Sequence, residues 1–227
     1  MISFAAIAML GFLLGMRHAL DPDHVIAVTT IVSTERSIAK AGLIGTVWGL
    51  GHTVTIFIVG SAIIIFNVVI PPRLGLSMEF AVGAMLILLG LLTLTGIMQR
   101  MQAKFALAPA ESNGIGLYNL LRPLLVGIVH GLAGSAAVAL LAMAAIRAPW
   151  VSVAYLLLFG LGTIAGMILI TAAISTPFIH TARRYSGLNR GLTVASGLIS
   201  LVLGLFVSYR IGFVQGLFGS HPHWVPQ

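Results

Sequence analysis

The residues best suited to chemistry in this chain lie close together near its amino terminus, in the stretch RHALDPDH (17–24). Four of them, His18, Asp21, Asp23 and His24, offer imidazole nitrogens and carboxylate oxygens. Without sulfur ligands, such a set suits Ni²⁺, Co²⁺, Zn²⁺, Mn²⁺ or Fe²⁺ rather than Cu⁺. We therefore interpret His18, Asp23 and His24 as metal ligands and Asp21 as an additional candidate.

Arg17 opens the same stretch and allows a second interpretation. Its guanidinium could pair with Asp21 or Asp23 in a structural cluster that steadies a bend. That interpretation leaves both histidines without a role, so we favour the metal site. Within it, Arg17 is an electrostatic group that keeps the site from holding an ion too tightly.

The spacing of these residues does not suit a regular helix. Asp23 would lie about 140° and His24 about 240° around the helix axis from His18. Pro22 resolves the conflict, because it has no N–H and its ring clashes with the preceding turn. We expect the helix to unwind over 20–23 and Asp23 to cap the helix that resumes.

The composition indicates where these elements lie. The chain is 59% hydrophobic and only 7% charged, whereas soluble domains carry about 25% charged residues. This predicts an all-α integral membrane protein whose surroundings are the lipid bilayer. The chain has no Cys, which excludes disulfides and thiol redox chemistry, and it has no basic domain suited to nucleic acid.

Apolar stretches of about 20 residues predict membrane-spanning helices. There are six: 2–33 (broken near Pro22), 41–68, 77–99, 117–146, 150–179 and 189–212. The loops at one end receive seven Lys and Arg residues and those at the other end receive three. Positive charge marks the cytoplasmic side, so both termini are predicted to lie outside.

The two halves of the chain resemble each other. GMRHAL matches GIVHGL, WGLGHT matches FGLGTI, and GAMLILLG matches GLISLVLG, at offsets of 112, 111 and 114 residues. Three helices per unit would insert the second copy upside down, as in transporters built from inverted repeats. The predicted division is a first repeat with the metal motif (1–98), a polar cytoplasmic connector (99–115), a second repeat (116–212) and a flexible external tail (213–227).

Further candidates follow from these matches. His52, in GLGHT, adds an imidazole that we expect to ligate the metal, and Thr53 beside it is a hydrogen-bonding candidate. His130 aligns with His18, and Ser135 stands where Asp23 does. Two roles remain open for His130: a ligand from the second repeat, or a residue that packs helices and supports the ligands.

These motifs resemble the nickel/cobalt transporter family (NiCoT), which includes nickel-permease-like and urease-accessory-type membrane proteins. His18, four residues and then Asp23-His24 fit its H-x4-D-H signature, and GLGHT resembles its second histidine motif. The resemblance implies transport of Ni²⁺ or Co²⁺ across a bacterial or archaeal cell membrane. It implies no prosthetic group, although the ligand set also admits Zn²⁺. This chain has Pro22 where members of the family commonly have Ala.

Several alternatives remain open at this stage. An exporter of the same ions would use the same site, and a membrane metal chaperone for urease or hydrogenase maturation would use it without transport. No nucleotide-binding motif and no H-E-x-x-H motif is present, so we expect a secondary transporter rather than an enzyme. Homo-oligomerisation is left open.

Overall fold

The structure is a computed structural model that describes residues 4–97, 100, 117–145, 148–220 and 222–224. The described residues form seven α-helices and no strand, which confirms the all-α prediction. The helices are α1 (Phe4–His18), α2 (Pro22–Val32), α3 (Ile38–Phe66), α4 (Pro72–Leu94), α5 (Leu117–Ala145), α6 (Pro149–Arg184) and α7 (Ser186–Tyr209). A π-helical turn, Arg210–Val214, continues α7. Apart from Arg100, the predicted connector lies outside the described residues.

The first helix is broken beside Pro22, as its missing N–H predicts. The interruption covers 19–21 rather than 20–23, because Pro22 is itself the first residue of α2. Asp21 therefore occupies the N-cap position, with the extended ψ of 143° that a residue before proline adopts. The prediction that Asp23 caps α2 is wrong, since Asp23 lies inside the first turn.

The two long helices α3 and α6 pack against each other at the centre of the bundle. They run antiparallel, because Gly45 lies beside Met167 while Thr53 lies beside Gly160. On either side, α5 packs against α3 and α1 packs against α6, and α4 pairs with α7. The break between α1 and α2 thus lies beside α6, and α2 also packs against α4 and α7.

Four helices are long and apolar enough to cross a membrane by length and composition: Ile38–Phe66, Pro72–Leu94, Pro149–Ala182 and Gly187–Val214. Shorter apolar segments are Ala5–His18, Pro22–Val32 and Leu120–Gly134. Large apolar side chains also point outward from several helices, including Met9, Leu13, Ile58, Leu161, Val202 and Phe206. This arrangement is compatible with a membrane protein, and the count of six spans stays a prediction.

Candidate metal centre

The break brings His18 and His24 together in the interior of the bundle. His18 is the last residue of α1 and His24 the third of α2. Their ring centroids lie 4.7 Å apart, which a continuous helix would not permit at this spacing. The local chemistry of proline therefore assembles the first part of the centre.

Two further imidazoles reach the same region from α3 and α5. The ring of His52 lies 5.2 Å from that of His18 and 5.1 Å from that of His24. The ring of His130 lies 4.6 Å from that of His24. The structure thus brings together four imidazoles from four helices, and one of them is His130, for which the sequence left two roles open.

Together with Asp23, these imidazoles form two groups with metal-ligand spacing. The inner group consists of His18, His24 and His52, and the entrance group consists of Asp23, His24 and His130. Within each group, one ligand atom per residue lies within 4.8 Å of the others. Imidazole nitrogen and carboxylate oxygen are ligands that suit a divalent transition metal.

The hydrogen bonds of His18, His24 and His130 use Nδ1, and Nε2 of His130 lies 3.5 Å from a carboxylate oxygen of Asp23. His18 Nδ1 lies 2.6 Å from a carboxylate oxygen of Asp21, and His24 Nδ1 lies 3.2 Å from one of Asp23. His130 Nδ1 lies 3.2 Å from the carbonyl oxygen of Val126. In all three rings, Nε2 is buried without a hydrogen-bond partner. Metal-binding histidines show this pattern, in which one N–H donates outward and the other nitrogen ligates.

His52 is the most deeply buried of the four, with no exposed surface. Neither of its ring nitrogens has a hydrogen-bond partner. Buried polar atoms are rarely left unpaired, because losing water without a replacement costs about 1–3 kcal/mol. A ligand role would account for this exception.

Trp48 supports the centre, and sequence reasoning missed it. Its indole stacks on the ring of His24 at a centroid distance of 6.0 Å and an angle of 20°. It also lies 5.3 Å from the ring of His130. The available signal was its spacing, because Trp48 precedes His52 by one helical turn and so shares its face of α3.

A cavity of about 420 Å³ leads away from the centre toward the end of α7. Its lining includes His18, Asp21, Asp23, His24, Glu79, His130, Gly134, Arg210 and Gln215. Trp224, near the carboxyl terminus, donates a 2.8 Å hydrogen bond from Nε1 to Glu79 at this end of the cavity. The cavity provides a path between the candidate ligands and that end of the bundle.

The remaining candidates lie around the centre in different ways. Asp21 supports His18, and the ion pairs of the motif in the described residues join Asp to His rather than to the exposed Arg17. Thr53 donates its hydroxyl to the carbonyl oxygen of Gly160 at 3.0 Å, which links α3 to α6. The side chain of Ser135 lies outside the described residues.

Comparison with known proteins gives a full-length relative. The chain is 37% identical over 221 residues to "Urease accessory protein UreH" of Bacillus sp. (strain TB-90), and the match covers 96% of each chain. No family model matches the chain, and no solved structure matches it.

Two more distant relatives come from Arabidopsis thaliana. The chain is 26% identical to "Chloroplast protein FOR GROWTH AND FERTILITY 1" and 27% identical to "Chloroplast protein FOR GROWTH AND FERTILITY 2". It spans 56% of the length of each. The match to the bacterial protein extends over nearly all of both chains, so it decides the assignment: the chain belongs to the family of the urease accessory protein UreH.

Proposed function

We propose that the protein is a secondary transporter that carries a divalent transition metal, Ni²⁺ or Co²⁺, across a membrane. The observation that carries the proposal is the set of imidazoles whose Nε2 atoms are buried without hydrogen-bond partners at His18, His24 and His130. Zn²⁺ also fits the ligands. The urease accessory role in the name of the bacterial relative supports nickel as the cargo.

Four long apolar helices and their exposed apolar faces support a position within the bilayer. The cavity reaches Arg210 and Gln215 at the end of α7. The distribution of Lys and Arg in the loops supports an external position for this end. An ion would then approach the centre from the external side, which supports import.

Contacts between helices support an inverted duplication. Gly15 of α1 lies against the backbone of Phe159 in α6, and Gly127 of α5 lies against the backbone of Trp48 in α3. The first pair corresponds to the second under the sequence match of the two halves. Such reciprocal contacts between matching residues are expected when two repeats face each other across a pseudo-two-fold axis.

Transport by this route would follow the geometry of the cavity. A hydrated ion enters beside Asp23 and exchanges water for imidazole nitrogen and carboxylate oxygen. The two repeats then rock against each other and expose the centre to the other side. Histidine must be neutral to ligate, so protons and metal compete for the ligands and a change of pH can aid release.

Cellular nickel and urease activity, measured in cells that produce urease and lack other nickel carriers, distinguish the proposed importer from an exporter and from a metal chaperone. An importer raises both total cellular nickel and urease activity, an exporter lowers cellular nickel, and a metal chaperone raises urease activity at constant nickel. We expect import, its loss in His24→Ala, and its retention in His180→Ala, a matched change at an exposed histidine of α6. Unchanged cellular nickel with the wild-type protein would refute transport.

A further inference from the structure

We propose that the centre holds the ion at two successive positions and that His24 passes it from the entrance group to the inner group. The inference rests on the proposed transport function and specifies how the site works. Two ligand atoms of one ion, each at about 2.2 Å, lie at most about 4.4 Å apart. The five ligands form two groups rather than one, so a single ion in this arrangement does not contact all of them.

The burial of His52 sets the order of the two positions, since His18 of the inner group also lines the cavity. The side chain of Asp23 is 35% exposed, and both Asp23 and His130 line the cavity. His52 is fully buried and is absent from the cavity lining. An ion arriving through the cavity can therefore contact the entrance group and His18 before it reaches His52.

His24 is placed to serve both positions. Its ring lies 4.6 Å from that of His130, 4.7 Å from that of His18 and 5.1 Å from that of His52. It belongs to both groups, and the indole of Trp48 stacks on one face of its ring. The ion keeps His24 as a ligand while it exchanges the others, so it is never fully released during transfer.

Gly134 leaves room for this movement. A Cβ atom at Gly134 would lie 3.8 Å from Nε2 of His18 and 3.9 Å from Cε1 of His52. Because glycine has no such atom, a space remains beside two of the inner imidazoles. The transferred ion and a remaining water occupy that space.

The two groups differ in chemistry, and this difference makes the transfer selective. The entrance group contains the carboxylate of Asp23, whose negative charge attracts any hydrated divalent cation. The inner group consists of imidazoles alone. Nitrogen ligands favour Ni²⁺, Co²⁺ and Zn²⁺ over Mg²⁺ and Mn²⁺, which prefer oxygen. Oxygen-preferring ions thus reach the entrance group and do not advance.

The test is to count the imidazoles on bound Ni²⁺ by X-ray absorption in the purified wild-type protein, His130→Leu and His52→Leu. Leucine suits both positions because both side chains are almost completely buried. We expect three imidazoles in the wild type, three in His130→Leu and two in His52→Leu, each with one ion per chain. His180→Leu is the matched control and should equal the wild type.

Transport by the same samples in proteoliposomes provides the second measurement. His52→Leu should bind Ni²⁺ yet transport it at least tenfold more slowly, with at least tenfold weaker preference for Ni²⁺ over Mn²⁺. Four imidazoles in the wild type, falling to three in both variants, would establish a single site and overturn the transfer. A wild-type protein that binds three imidazoles but does not transport contradicts the proposed function; one that binds no ion overturns both.

Discussion

Gly131 tests whether close packing of α3 against α5 holds the metal centre in place. A Cβ atom at this position would lie 2.7 Å from the carbonyl oxygen of His52 and 2.8 Å from Cβ of Thr55. Carbon atoms in contact normally lie at least about 3.5 Å apart. Gly131→Ala must therefore separate the two helices locally by about 0.7 Å, with the proposed ligands His52 and His130 on opposite sides of the gap.

This displacement exceeds the tolerance of a metal site, where ligand distances vary by about 0.2 Å. In enzymes, a misplacement of about 1 Å can lower the reaction rate roughly 100-fold. We therefore expect Gly131→Ala to weaken Ni²⁺ binding by roughly 10- to 30-fold, or about 1.4–2 kcal/mol. Isothermal titration of Ni²⁺ into the purified protein measures the change.

A matched substitution controls for the loss of a glycine from a helix. Gly42→Ala, in α3, adds a methyl group with no atom within 4 Å. It should bind Ni²⁺ within a few-fold of the wild type. Binding by Gly131→Ala that matches Gly42→Ala would refute the role of helix packing in holding the ligands.

Three further predictions concern stability in detergent. Trp224→Ala removes the hydrogen bond to Glu79 and the packing on Gly75, and it should lower the free energy of unfolding by about 1–3 kcal/mol. Trp224→Phe should lower it less. Equal unfolding temperatures for the wild type and both variants would contradict this. Arg122→Met removes a 2.9 Å hydrogen bond to the carbonyl oxygen of Ile31 and should cost about 1.5–3 kcal/mol, so an unchanged thermal transition would argue against it. Ni²⁺ at 100 times its dissociation constant should stabilise the protein by about 2.7 kcal/mol. A chelator should reverse this stabilisation, and His24→Ala should lack it. Equal stabilisation of His24→Ala would show that the ion binds elsewhere.

Local chemistry made the first part of the centre predictable from the sequence. Pro22 removes one backbone donor, and the spacing of His18 and His24 makes sense only if the helix breaks there. The N-cap residue of α2 was harder to predict. It is Asp21 if α2 begins at Pro22 and Asp23 if α2 begins after Pro22. A difference of two residues at a helix end is within the usual uncertainty of such boundaries.

The rest of the centre depends on contacts between distant parts of the chain. His52 and His130 approach His24 because α3 and α5 pack closely, and the sequence does not specify that register. The stacking of Trp48 on His24 is of the same kind. The hydrogen bond between Trp224 and Glu79 joins residues 145 positions apart, so no local pattern reveals it.

Uptake of radioactive Ni²⁺ by liposomes that contain only the purified protein tests the central claim most directly. We predict saturable accumulation of Ni²⁺ by the wild-type protein, accumulation reduced at least tenfold by His24→Ala, and normal accumulation by His180→Ala. Wild-type liposomes that accumulate no more Ni²⁺ than protein-free liposomes, or His24→Ala liposomes that match the wild type, would contradict the account.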